Sequence, residues 1–170
     1  MPFTPFHLGP ALAIGLPLRR WIHAPTFIIA SVAVDVEPLL VLVLGLSYPL
    51  HGYLHTFLGA AILGLAIAYA MYLLEGVFAK LWRGLLLEDE ACRSVKRFII
   101  AGISGTELHV LLDAPLYTDI KPLYPYTHNP FFNPSLANAI YGLCLYAGIA
   151  GIAYYIALAV STSIRRSRSR

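Results

Sequence analysis

The sequence predicts an all-α integral membrane bundle of about five transmembrane helices, the first one short, with the N-terminus outside and the C-terminus in the cytoplasm. Three observations carry that reading. Of 170 residues 58% are hydrophobic and only 12% charged, with a mean hydropathy of +0.70, which takes the chain out of the soluble globular class. The apolar residues fall into long stretches parted by polar or aromatic connections. Basic residues cluster at the ends of those stretches. The chain reads as a single helical domain over residues 1–170, multi-pass in the cell membrane.

The elements follow in order. Residues 5–18 are apolar but short of the roughly 17 to 25 residues that a full span takes, so they make a short or tilted helix interrupted by Pro10 and Pro17. Arg19, Arg20 and Trp21 then form the basic and aromatic edge expected at an interface. Because these arginines follow the apolar run, the run does not read as a cleavable signal. A second helix runs from Thr26 to Ser47 and carries Asp35, Glu37 and Pro38 near its middle. Pro38 has no N–H to offer the Val34 carbonyl, which is expected to be free beside the two acids.

A turn at Ser47–Leu50 leads to a third helix from about His51 through Phe78, with His51 and His55 on its first turns. Its small residues, among them Gly59, Ala60 and Gly64, suit close helix packing. Glu75 and the run from Glu88 to Glu90 read as solvated cytoplasmic charge. Phe98 to about Leu116 forms the fourth helix, and residues 119–135, with Lys121 and His128, form a surface loop. The fifth helix spans Leu136 to Ser163 and ends in Arg165, Arg166, Arg168 and Arg170. Cys92 and Cys144 stand alone, so neither a disulfide framework nor a thiolate zinc site is indicated.

Orientation follows from charge. With the first segment crossing the membrane, eleven of the twelve Lys and Arg fall on one side and Lys121 alone on the other; the positive-inside bias makes the crowded side cytoplasmic. His7 and His109 are each twelve residues from a cytoplasmic-edge arginine, Arg19 and Arg97, which puts both about 18 Å above that edge, with Asp35 at about 20 Å. His51 comes near the outer surface, His55 one turn below it, and Asp113 one turn above His109. His23 is left at the cytoplasmic edge.

The chemistry concentrates in Glu107–Pro115. His109 and Asp113, four apart, share a helix face and can hold one metal ion. Ionisable groups inside a membrane are costly and mark function, and His7, Asp35, His51 and His55 converge in the same outer half of the bilayer, so these six are the candidate metal ligands. His51 is also consistent with an idle, hydrated imidazole at the interface. Asp35 and Glu37, two apart, face different ways, so one of them is expected at the site. Glu107 stands in the same relation to His109. Glu37 and Glu107 are candidate general bases.

Imidazoles with carboxylates and no thiolate suit zinc, with manganese or iron as alternatives, as one or two divalent ions. Such an ion acidifies water and polarises a phosphoryl or carbonyl oxygen, so hydrolysis is the natural reaction. At this depth the substrate is the headgroup or ester region of a lipid, or a lipid-linked phosphate. The bilayer is the expected surrounding, no nucleic-acid partner is expected, and the oligomeric state stays open. Two competing classes use the same residues: a transporter of protons or metal ions, and a non-catalytic metal-binding membrane subunit. A conducting path needs polar groups along its whole length, whereas the cytoplasmic half reads as almost uniformly apolar.

The opening from Met1 to His7, Asp35-x-Glu37-Pro38, His51-x-x-x-His55 and His109-x-x-x-Asp113 before Pro115 together resemble the predicted membrane-bound metal-dependent hydrolases, the inner-membrane family that includes a LexA-regulated member. The resemblance runs over nearly the whole chain and implies a membrane-bound metal-dependent hydrolase. In motif order the chain is also similar, more distantly, to zinc-dependent phospholipase C and the related single-strand nucleases. That second likeness implies one metal held by Asp35, His55, His109 and Asp113, and a second between His7 and a bridging Asp113. The later histidine and glutamate ligands of those soluble enzymes have no clear counterpart here beyond His128.

Overall fold

The computed structural model describes residues 5–88 and 94–168. Asp89–Arg93, which hold Glu90 and Cys92 of the expected polar connection, lie outside the described residues, as do Met1–Thr4 and Ser169–Arg170. Six α-helices are described: α1 (Pro5–Leu18), α2 (Ala24–Ala33), α3 (Val36–Leu44), α4 (Phe57–Gly84), α5 (Val95–Asp113) and α6 (Ala137–Arg168). No strand occurs among the described residues.

Three helical stretches are long and apolar enough to cross a membrane: Ala24–Leu44, which joins α2 and α3, then Phe57–Gly84 and Pro134–Arg168. This is the mark of a membrane protein. The helix α1 is shorter, and α5, at 19 residues, carries Lys96, Arg97, Glu107, His109 and Asp113.

The expected second helix is not continuous. It breaks at Val34 and Asp35, and α3 begins one residue later. Pro38 occupies the third position of α3, where the missing N–H costs no helical bond. The Val34 carbonyl is not left free, because Glu37 N–H donates to it at 3.2 Å. A second correction concerns His51 and His55, which precede the helix they were assigned to. Tyr53–His55 is a single 3-10 turn, and α4 starts at Phe57, where the Thr56 hydroxyl caps the helix by accepting from Gly59 N–H at 2.9 Å.

In the bundle α5 lies between α2 and α4, and α1 lies between α2 and α6. Glycines set the spacing at these crossings, as close packing inside a bilayer requires. A Cβ on Gly64 of α4 would lie 2.6 Å from the Gly102 carbonyl oxygen of α5, and one on Gly105 would lie 2.6 Å from the Phe27 carbonyl oxygen of α2. The Thr106 hydroxyl, in the notch so formed, donates to Ala60 O at 2.8 Å. Ala60, Gly64, Ala68, Met71 and Glu75 make one buried stripe along α4. Ala11, Ile22, Phe27 and Ala101 form an apolar layer where α1, α2 and α5 meet.

Helix α4 ends in a Schellman turn: Leu87 N–H donates to Trp82 O at 2.9 Å and Leu86 N–H to Arg83 O at 3.1 Å. Leu86 takes the left-handed position, φ 58°, which a non-glycine residue adopts at a cost of order 1–3 kcal/mol. That turn sends the chain back toward the bundle.

Candidate metal centre

Four segments deliver side chains to one point near one end of the bundle. His7 comes from the first turn of α1, Asp35 from the α2–α3 break, His55 from the turn before α4, and His109 and Asp113 from the last turns of α5. Asp35, His55, His109 and Asp113 each offer a ligand atom, all within 4.8 Å of one another. His7, His55, His109 and Asp113 are at most 3% exposed, while the Asp35 side chain is 13% exposed and is the most open of the group. His7 stacks on His109 with ring centroids 3.9 Å apart, and its Nε2 lies 3.1 Å from Asp113 Oδ1. The histidines placed level by counting residues from Arg19 and Arg97 are in fact in contact.

The outer partners of two histidines fix what the inner nitrogens can do. His109 Nδ1 lies 2.8 Å from the Ser31 carbonyl oxygen. A carbonyl only accepts, so Nδ1 carries the proton and neutral His109 presents a bare lone pair at Nε2. His55 Nδ1 lies 2.9 Å from Glu37 Oε2, and by the same reasoning its Nε2 is also a lone pair. Both inner nitrogens are buried without a hydrogen bond, as are both ring nitrogens of His7 and Asp113 Oδ1. Buried lone pairs facing carboxylate oxygens repel unless a cation lies between them.

Distance discriminates between the cations. His109 Nε2 lies 3.5 Å from Asp35 Oδ1 and 3.4 Å from Asp113 Oδ2. Charge-assisted N–H···O bonds run about 2.7–2.9 Å. The edge of a tetrahedron with 2.0–2.1 Å metal bonds is about 3.3 Å. These two separations are closer to that edge than to a hydrogen bond, and the residues present could hold a divalent ion. A second layer holding each ligating imidazole by its far nitrogen is what metal sites require.

Of Asp35 and Glu37, Asp35 alone belongs to the four-residue group, and Glu37 touches it only through His55. Val34 and Asp35 keep right-handed helical dihedrals at the break, φ -61° and -65°. The Glu37 carboxylate accepts from His55 Nδ1, Gly52 N–H at 2.9 Å, Leu54 N–H at 3.2 Å and the Tyr48 hydroxyl at 3.3 Å. His51 sits beside His55, ring centroids 4.7 Å apart, with its Nδ1 on Asp119 at 2.9 Å, so it borders the four-residue group without joining it. Glu107 is half-buried on α5 and also lies outside that group. His128 is exposed on the loop.

Two outer-end residues were missed. Asn129, buried, ties the loop to the end of α5 by donating to Ala114 O at 2.8 Å and Tyr117 O at 3.1 Å. Tyr117 packs its ring 4.3 Å from that of His51, and burial, joined by the Asp113 charge, pushes its phenol well above the usual tyrosine range. The series 109, 113, 117 at four-residue spacing is the signal that points to it.

Glu75 and Glu88 are not solvated: they are 4% and 7% exposed. Glu75 falls on the buried stripe of α4, and the Schellman turn folds Glu88 back. With His23 they form a second group of ligand atoms within 4.8 Å of one another, at the opposite end of α2.

Comparison with protein families, curated proteins and solved structures finds no match to this chain.

Proposed function

We propose that the chain is a membrane-embedded metal-dependent hydrolase of about five spans. In this reading the N-terminus is outside, the site lies in the extracytoplasmic half, and the substrate is a phosphoester or other ester of a lipid or lipid-linked molecule. The resemblance to the predicted membrane-bound metal-dependent hydrolases supports the reaction class, and the outer-half depth alone supports the substrate class. The observation that carries the reading is the pair of histidines, His55 and His109, held by Glu37 and by Ser31 O so that their lone pairs meet the carboxylates of Asp35 and Asp113.

Asp35, His55, His109 and Asp113 hold the ion, zinc first and manganese or iron as alternatives. His7, 3.1 Å from Asp113, borders a second ion or supports Asp113. The ion, when bound, polarises the ester oxygen and acidifies water. Glu37, its carboxylate already accepting from four donors, orients His55 and is not free to take a proton from water. Asp35, the most exposed of the ligating carboxylates, lies where water meets the group.

The buried His23, Glu75 and Glu88 group favours a second reading, a cation transporter, because it places polar groups in the half that the sequence leaves apolar. An apolar cluster of Ala11, Ile22, Phe27 and Ala101 lies where α1, α2 and α5 meet between the two ends of the bundle, which favours the hydrolase reading over a polar path of full length.

Two measurements test the proposal. Purified wild type is expected to carry zinc, manganese or iron at this centre and His109→Ala to lose it; equal content sinks the metal reading. Wild type is expected to hydrolyse phosphate or carboxylate esters that Asp113→Ala leaves intact, and equal rates remove the enzyme.

A further inference from the structure

His23, at the start of α2, is fully buried, and its ring stacks on Phe98 of α5 with centroids 4.1 Å apart. Its Nε2 lies 3.1 Å from Glu75 Oε2 and makes no hydrogen bond. Glu88 completes the group from the segment folded back by the turn after α4, where the Leu86 carbonyl accepts from Arg19 Nη1 at 2.9 Å. The three ligand atoms are contributed by the start of α2, the last third of α4 and the chain beyond it.

We propose that His23, Glu75 and Glu88 form a second divalent-cation site, separate from the first, that clamps the cytoplasmic ends of α2 and α4. Its donor set, one imidazole and two carboxylates with no thiolate, takes zinc, manganese or iron(II). His23, fully buried with Nε2 aimed at Glu75, can ligate through that nitrogen when the ring is neutral. On the far side of the ring, Nδ1 lies 2.7 Å from the Thr26 hydroxyl oxygen. Donation of the Nδ1 proton to that oxygen turns the Nε2 lone pair toward Glu75. The competing occupant is a proton: Thr26 N–H, 3.3 Å from Nδ1, favours the tautomer in which Nε2–H points at Glu75 and no metal binds. His23 and Asp35 are twelve residues apart, about 18 Å along α2, so the two sites share no ligand.

The test loads the full chain, purified in detergent and stripped of metal, with Zn²⁺ alone, and reads bound zinc per chain and the melting temperature. Glu75→Gln and Glu88→Gln are each expected to bind one ion fewer than wild type, and His109→Ala to keep that ion. In the His109→Ala background zinc is expected to raise the melting temperature, and adding Glu75→Gln is expected to abolish that rise. Equal zinc content in wild type, Glu75→Gln and Glu88→Gln overturns the proposal in favour of the proton. Loss of all zinc in folded His109→Ala also overturns it, leaving only the outer site. If His109→Ala and wild type bind equal zinc while Glu75→Gln binds less, the outer site fails and this one stands.

Discussion

The two ends of the bundle carry groups of the same residue types, yet they differ in the partner of the far imidazole nitrogen. At the outer group, His109 Nδ1 meets a carbonyl and His55 Nδ1 meets a carboxylate. Both partners only accept, so each ring is locked with its lone pair inward. At the inner group, His23 Nδ1 meets a hydroxyl, which gives or accepts, and an amide, which only gives. The inner ring therefore has two tautomers within reach and the outer rings have one. Residue type places a histidine beside carboxylates, and the atom behind it decides whether the site is ready for a metal or shared with a proton.

The largest expected effect breaks the outer group. His109→Ala removes a central ligand and leaves Asp35 and Asp113 facing each other; the metal of the outer centre is expected to be lost, the inner ion alone remaining, and ester hydrolysis to fall to background, measured by elemental analysis and product release. Next is the layer behind the ligands. Glu37→Gln keeps the size of the side chain but removes the charge that holds His55, and removal of such an outer partner weakens metal binding about 10–100-fold. A zinc titration of stripped protein reads this directly, and affinity equal to wild type breaks the comparison between the two ends. A packing variant separates ligand loss from distortion. Gly102→Val forces a side chain against the Gly64 carbonyl, which overpacking makes about 1–3 kcal/mol less stable, expected as a lower melting temperature with all ligands still present.

The cluster was legible because ionisable residues are rare in so apolar a chain, and residue counting from Arg19 and Arg97 set the depth of His7 and His109. Depth alone left six candidates, and the structure groups Asp35, His55, His109 and Asp113, with His7 in contact with Asp113 and His51 at the border. The second layer was not legible, because it depends on contacts between segments. Counting Asp35 and Glu37 as two positions of one helix sends them to different faces, and Asp35 alone joins the group, but the count does not reveal that Glu37 meets the far nitrogen of His55. His51 and His55 read as a helical pair four apart; the chain instead makes a 3-10 turn, and only the Thr56 cap marks where α4 begins. Glu75 was readable in principle: Ala60, Gly64, Ala68 and Met71 lead to it at helical spacing. Glu88 was not, since its burial depends on a left-handed Leu86 where sequence preference favours glycine.

The smallest expected effect sharpens the same contrast. Glu107 and Glu37 are alike in sequence, each two residues from a ligand, His109 or Asp35. In an unbroken helix a two-residue offset is about 200° of rotation, and α5 runs unbroken from Val95 to Asp113, so Glu107 turns away from the centre. Glu37 lies outside the four-residue group too, but its carboxylate holds His55 Nδ1 at 2.9 Å. Glu107→Gln is therefore expected to leave zinc affinity and content at wild-type values, in the titration where Glu37→Gln falls at least tenfold. Equal losses in the two variants would mean that a charge near the site, and not a hydrogen bond to His55, is what Glu37 contributes.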